Sequence, residues 1–265
     1  MILVAGGTGT LGRELVPRLA TADDVRVLTR DRDHAEGLDA DVAVGDVRDA
    51  STLASAVRGC SVVVSAMHGF LGGRGAGPDE IDRKGNANLI RAAVDAGVDR
   101  FVLMSVFDAR PDHPMALHRA KHAAEQELRA TGLAWTCVRP TAYLETWAGI
   151  VGAKLADGGP GLVLGRGANP INFVSVADVA AVVERAVADT GPSRRTVDVV
   201  GPENLTMTEL AERLGADRVR RVPRVALRVA ATCLARVAPG PARAARGAVV
   251  MDTTDMTAGP AGSVT

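Results

Sequence analysis

The stretch Ile2-Leu3-Val4-Ala5-Gly6-Gly7-Thr8-Gly9-Thr10-Leu11-Gly12 decides the fold. Four apolar residues read as a buried strand, the glycine run as a tight turn, and the residues up to Ala20 as a helix. A helix N-terminus carries unpaired backbone N–H groups and the positive end of the helix dipole, so this turn is built to receive an anion. Glycine is needed because a Cβ would hold a phosphate off the backbone and block positive φ. The run fits Gly-x-Gly-x-x-Gly from Gly7 and Gly-x-x-Gly-x-x-Gly from Gly6. A strand before it and a helix after it turn a weak pattern into a dinucleotide-binding signature over Gly6, Gly7, Thr8, Gly9, Thr10, Leu11 and Gly12.

Outward from this turn, strand and helix patterns alternate. Strands are expected at 2–5, 25–29, 41–45, 61–66, 100–105 and 134–139, and helices near 10–20, 50–58, 80–96, 115–130 and 176–188. Such alternation implies an α/β fold, a doubly wound (Rossmann) parallel sheet, with ligands beyond the carboxyl ends of the strands. After Pro140 the texture changes. Asp157-Gly158-Gly159-Pro160-Gly161 is a turn cluster, short strands follow at 162–164 and 171–174, and Val197–Val200 reads as one more. Thr206 and Glu209 form a capping box for a helix to about Leu214, stopped by Gly215. The expected organisation is a Rossmann domain over 1–147, with 171–200 returning to it. A small C-terminal substrate or lid lobe takes 148–170 and 201–251, and 252–265 forms a poorly ordered tail.

Composition narrows the function classes. Hydrophobic residues make up 47% of 265, yet only seven are aromatic, so the core is built from Ala, Val and Leu. The formal net charge is zero, which gives no overall pull toward nucleic acid or an anionic membrane. Eight arginines and no acids fall between Arg218 and Met251. There a helix over Arg224–Val237 is expected, with Val225, Val229, Cys233 and Val237 on its apolar side and Arg221, Arg224 and Arg228 on its solvated face. Three scattered cysteines, Cys60, Cys137 and Cys233, read as reduced thiols and argue for no metal site. No signal peptide or spanning segment is evident, so a cytoplasmic protein is expected. Leu205–Gly215 resembles the first half of a helix-turn-helix, but the residues that follow meet Pro223 within two turns, leaving no recognition helix.

The second strand ends at Arg30, where an acid would bind the ribose 2′-OH of NAD. A guanidinium there pairs with a 2′-phosphate, favouring NADP(H), although Asp31 beside it dilutes the charge.

These residues, with Gly45-Asp46-Val47-Arg48-Asp49, Asn88–Ala93, Phe101–Ser105, Ala120-Lys121, Val138-Arg139-Pro140 and Phe173–Ala180, give a chain that resembles the atypical short-chain dehydrogenase/reductases. Within that superfamily it is similar to the NmrA-like proteins and NAD(P)H-dependent quinone oxidoreductases. The resemblance implies Asp46 and Val47 at the adenine, Ser65, Ala66 and Met67 along the ribose and pyrophosphate, and Lys121 at the nicotinamide ribose. It also implies a tyrosine four residues before that lysine, and here stands Leu117. His118 could supply the missing proton, or be a surface histidine at the helix end. Alternatively the acceptor needs no protein acid. His118 and His122 also have metal-ligand spacing, but no third ligand is near. Tyr143 and Trp147, four apart in the loop after the sixth strand, could stack on a planar substrate or pack the join between lobes.

The sequence therefore points to an NADPH-dependent oxidoreductase reducing a quinone or conjugated carbonyl small molecule without the usual tyrosine. A non-catalytic NADP(H)-binding redox sensor acting through a protein partner is the alternative, and an isomerase using bound cofactor a third. No nucleic acid or membrane partner is expected, and a homodimer is left open.

Overall fold

Residues 1–259 are described by a computed structural model, and 260–265, the end of the expected tail, lie outside the described residues. In chain order the elements begin β1 (Ile2–Ala5), α1 (Thr10–Ala20), β2 (Val25–Thr29), β3 (Asp41–Val44), α2 (Leu53–Val57) and β4 (Val62–Ser65). A π-helical segment, Asp79–Gly85, runs into α3 (Asn86–Asp95), followed by β5 (Arg100–Met104), α4 (Ala116–Arg129), β6 (Ala134–Pro140), β7 (Ala142–Tyr143) and α5 (Leu144–Gly152). Then come β8 (Gly161–Leu164), β9 (Ile171–Val174), α6 (Val176–Ala188), β10 (Arg194–Val199), β11 (Asn204–Leu205), α7 (Met207–Arg213), β12 (Val219–Val222), α8 (Arg224–Cys233) and α9 (Pro239–Met251). No described helix is long and apolar enough to cross a membrane.

The chain divides into two compact units. The first comprises 1–69, 75–139 and 176–198, and holds a seven-stranded sheet in the order β10-β6-β5-β4-β1-β2-β3. The strands from β3 to β6 pair in parallel, Ile2 with Val25 on one side and with Val62 on the other. The period-two pattern of strands sorts their side chains. Leu3, Ala5, Val63, Phe101 and Leu103 pack with Ala56 of α2, Leu89 and Ala93 of α3, and Ala124 and Leu128 of α4. α1 packs against α6. Strand order reverses between β1 and β4, so the turns leaving those two strands flank the switch point where such sheets bind ligands.

Of the described residues, the second unit comprises 70–74, 140–175 and 199–259. The expected boundaries therefore shift. β7, α5 and β9 belong here, because β9 pairs with β7 and β11 instead of extending the large sheet, and only 176–198 returns to the first unit. The capping box at α7 forms as the sequence implies, Thr206 accepting from the Glu209 N–H while Glu209 reaches back to the Thr206 N–H.

Two expectations fail in this unit. The helix expected over Arg224–Val237 ends at Cys233, and its apolar side is reversed. Leu227 and Ala231 are buried against Ala245 and Ala248 of α9, while Val225, Val229 and Val237 are among the most exposed hydrophobic residues. α9 is not among the helices expected, its Pro-Gly-Pro start reading as a break although proline is also at home in a first helical turn, so the face it covers is misassigned. Nor, among the described residues, is the stretch 252–258 loose. The Asp252 carboxylate, almost fully buried, accepts from the backbone N–H groups of Arg166 (3.0 Å) and Gly167 (3.3 Å). Met256 O accepts from Asn172 N at 3.0 Å, which ties the segment to β9.

Candidate functional site

The turn after β1 is set by contacts that admit no side chain. Gly6 has φ +88°, and a Cβ on it would lie 2.7 Å from the backbone of Ala66, at the exit of β4. On Gly12 a Cβ would lie 2.4 Å from Gly6 O and from Gly7 Cα. On Gly7 it would strike Val27 of β2 at 2.8 Å. Only Gly9 has room around it, with a single neighbour at 3.4 Å. Three glycines thus close the turn and the fourth leaves its surface bare. Gly9 is the N-cap of α1, and no side chain caps the helix. The donors that a Ser or Asp would usually satisfy are left to a ligand, and a pyrophosphate fits that cradle.

The first unit also holds Arg30, Asp46, Val47, Ser65, Ala66, Met67 and Lys121, of which Ala66 and Met67 meet the turn directly, with backbone atoms within 2.8 Å of a Cβ on Gly6. Arg30 is exposed at the end of β2, close enough to Asp46 to favour its charged form. Asp46 itself is clamped by Arg48, whose Nε donates to Oδ1 at 3.0 Å and to Oδ2 at 3.1 Å. The guanidinium hydrogen bonds hold the Asp46 carboxyl below the usual carboxylate range. Arg48 also donates to Gly75 O at 2.9 Å. Val47 is buried against Gly85, where a Cβ would meet it at 2.8 Å, and its carbonyl accepts from Asn88. The Ser65 hydroxyl is turned inward. The buried Oγ donates to Asn86 Oδ1 at 2.6 Å, so only backbone remains there for a ligand.

Lys121 is the most constrained of the set. α4 buries His118, Lys121, Glu125 and Leu128, a stripe at helical spacing in which three of four members are polar. Lys121 Nζ donates to Met67 O at 2.8 Å and lies 3.0 Å from Asp82 Oδ1, a charge contact without hydrogen-bond alignment. The other oxygen of Asp82 accepts from Gly69 N at 2.7 Å. Asp82 and Asn86 are both wholly buried, and Asn86 Nδ2 donates to Asp82 O. Their signal was present: 82, 86, 89 and 93 form one helical stripe, and two polar residues in an apolar stripe mark buried partners. Glu125 accepts from Ser105 Oγ (2.5 Å), Arg139 Nε (2.7 Å) and Arg139 Nη2 (2.6 Å).

His118 differs from the expected surface histidine. It is buried, not at the surface, and its ring stacks on His113 with centroids 3.7 Å apart and planes 12° from parallel. Burial, then the neighbouring His113, push its pKa down to about 4. A histidine so acidic is almost wholly neutral near pH 7 and is a poor store for a catalytic proton. Its Nδ1 has no hydrogen-bond partner among the described residues. Tyr143 and Trp147 also differ from expectation, for they are not in a loop. Tyr143 ends β7 and Trp147 lies in α5, both in the second unit. Trp147 packs on that unit's core of Ile171, Met207 and Met251, beside a gap with room for about one water. Burial pushes the Tyr143 phenol well above its ordinary pKa, which makes it a weaker acid.

Residues 6–190 match the family model described as NAD(P)H-binding. The chain belongs to this family. It is 33% identical to the NAD(P)H azoreductase of Xenophilus azovorans over 86% of the chain and 77% of that protein. It is also 33% identical to the (4-alkanoyl-5-oxo-2,5-dihydrofuran-3-yl)methyl phosphate reductase of Streptomyces griseus, over 81% of the chain and 72% of that protein. Among solved structures, an NADPH-dependent quinone oxidoreductase of Escherichia coli complexed with NADPH superposes with a TM-score of 0.71 at 23% identity. The match covers 96% of this chain and 92% of that one, a likeness of fold.

Proposed function

We propose that the chain is an NADPH-dependent oxidoreductase that reduces a planar, electron-poor small molecule, a quinone or conjugated carbonyl, without a protein phenol. Its standing as an NAD(P)H-dependent oxidoreductase is supported by the family and by two relatives named as reductases. The observation that carries the reading is the uncapped N-terminus of α1 in a turn that Gly6, Gly7 and Gly12 hold closed. The exposed Arg30 favours the 2′-phosphate of NADPH, and the same charge gives NADH nothing to gain.

When bound, the dihydronicotinamide supplies a hydride. The chain's own part is to hold and orient. Backbone N–H groups of the α1 turn bind the pyrophosphate, Arg30 the 2′-phosphate, Val47 and the Asp46 region the adenine, and Lys121 the nicotinamide ribose. Leu117 stands where a phenol would deliver a proton, His118 is kept neutral, and Tyr143 is a weakened acid. An acceptor whose reduced form is a stabilised anion can take its proton from water, so positioning suffices. The names of the two relatives, one acting on azo compounds and one on an oxo-dihydrofuran bearing an alkanoyl group, describe conjugated acceptors of this kind.

The test is to titrate NADPH and NADH into the protein by fluorescence and then supply quinones, azo dyes, enones and aldehydes. Consumption of NADPH with the conjugated acceptors is expected. Tight NADPH binding with no consumption by any of them would defeat the reductase reading and support a sensor.

A further inference from the structure

Lys121 is the one lysine or arginine buried on α4, and its ammonium is met by a carboxylate that comes from outside that helix. Asp82 lies in the π-helical segment Asp79–Gly85, a rare geometry that changes which side chains face inward. Its two carboxylate oxygens go to two different places, Oδ1 to the Lys121 ammonium and Oδ2 to Gly69 N. Its carbonyl is held by Asn86, which Ser65 at the end of β4 holds in turn. The carboxylate is therefore aimed by a chain of hydrogen bonds running back to the sheet.

We propose that Asp82 is a positioning residue that fixes Lys121 and cancels its charge, so that Lys121 acts as an oriented hydrogen-bond donor at the cofactor ribose and not as the acidifier of a proton-donating phenol. The proposal rests on the reading that Lys121 stands at the nicotinamide ribose. An ammonium has three N–H groups. One goes to Met67 O and one faces Asp82, which leaves one to point at a ligand. The pairing also accounts for Leu117. A bare lysine lowers the pKa of a nearby phenol through its positive field, and a lysine 3.0 Å from a carboxylate has little field left to give. Loss of the tyrosine and neutralisation of the lysine are two parts of one change in chemistry.

A double-mutant cycle separates this role from a merely structural one. NADPH dissociation constants are measured by fluorescence for the full chain and for Lys121→Met, Asp82→Asn and the double variant, with folding checked by circular dichroism. Lys121→Met is expected to weaken NADPH binding about tenfold, the size of one charged hydrogen bond. Asp82→Asn is expected to cost about as much in the Lys121 background and less than about twofold in the Met background, since it acts through the lysine. If Asp82→Asn does not fold because an unpaired ammonium is left buried, Asp82→Glu replaces it in the same cycle. Glu keeps the charge but displaces the ammonium, so an intermediate loss is expected, again confined to the Lys121 background. Equal losses in both backgrounds would overturn the proposal alone. Unchanged NADPH binding in Lys121→Met would instead overturn the placement of Lys121 at the cofactor, and the proposal with it.

Discussion

The two units are held together by different kinds of contact. In the first, the decisive contacts are backbone against backbone: Gly6 against Ala66, and Gly12 against Gly6 and Gly7, with parallel strands on either side. In the second, side chains of residues far apart in sequence do the same work. Asp252 satisfies the turn at Arg166 and Gly167 and pairs with Arg224 at 3.3 Å. Asn172 bridges Gly201 and Glu203. Arg243 donates to Phe70 O at 2.9 Å. A turn made of backbone can present its N–H groups to a ligand because no side chain competes for them. A turn satisfied by a carboxylate has already used its donors. On the proposed reading, this difference suits the first unit to an anion cradle and the second to shape and packing.

The sharpest way to break this contrast is Gly12→Ala. The added methyl would sit 2.4 Å from backbone atoms that cannot swing away, so the turn must open. Binding of NADPH should fall at least about 100-fold, as expected for overpacking of 3 kcal/mol or so. Gly9→Ala, with room for a methyl, should fold normally, and comparing melting temperatures of the two variants checks the assignment.

A second expectation concerns acid. His118 binds its proton with a pKa near 4 when folded against an ordinary 6.5 when unfolded. Above pH 6.5 both states are neutral and nothing is lost. As pH falls from 6.5 to 4 the unfolded state takes up the proton first, so stability declines by about 3 kcal/mol across that window. Urea denaturation at several pH values should show this slope. His118→Phe should flatten it, and an unchanged slope would show that other groups carry it.

Asp252→Ala probes the second unit. Removing the carboxylate leaves the Arg166 and Gly167 N–H groups unpaired, at about 1–3 kcal/mol for each buried group. Hydrogen exchange should quicken around β8 and α9 and stay unchanged in β1 and β5. Uniform loss of protection would show that the two units unfold together. The smallest expected effect is that of Arg30→Ala, which should weaken NADPH about tenfold and leave NADH nearly unchanged. Equal losses would remove the case for 2′-phosphate recognition.

Legibility in the sequence follows the same division. β1, the glycine turn, α1 and the later strands of the sheet were readable because period-two and period-3.6 patterns and glycine punctuation are local signals. Lys121 is singled out by the resemblance to the short-chain dehydrogenase/reductases, which implies a lysine at that point of the helix, and not by any local pattern. Its partner could not be placed, since the contact between Lys121 and Asp82 joins residues 39 apart and depends on a π-helical register that composition does not announce. The apolar face of α8 was misread because it depends on α9, and the anchoring of the chain at Asp252 depends on a turn 86 residues earlier. Histidine burial at position 118 is a tertiary effect as well, made by His113 folding back on the start of α4.

Hydride transfer without a protein acid is tested most directly by the rate of NADPH consumption with a quinone compared with that for a saturated aldehyde of similar size. The quinone should be reduced, and the aldehyde, whose alkoxide needs a proton as it forms, should react at least about 100-fold more slowly, the lower range of what a positioned acid contributes. Comparable rates with both acceptors, or consumption with neither although NADPH is bound, would contradict such transfer.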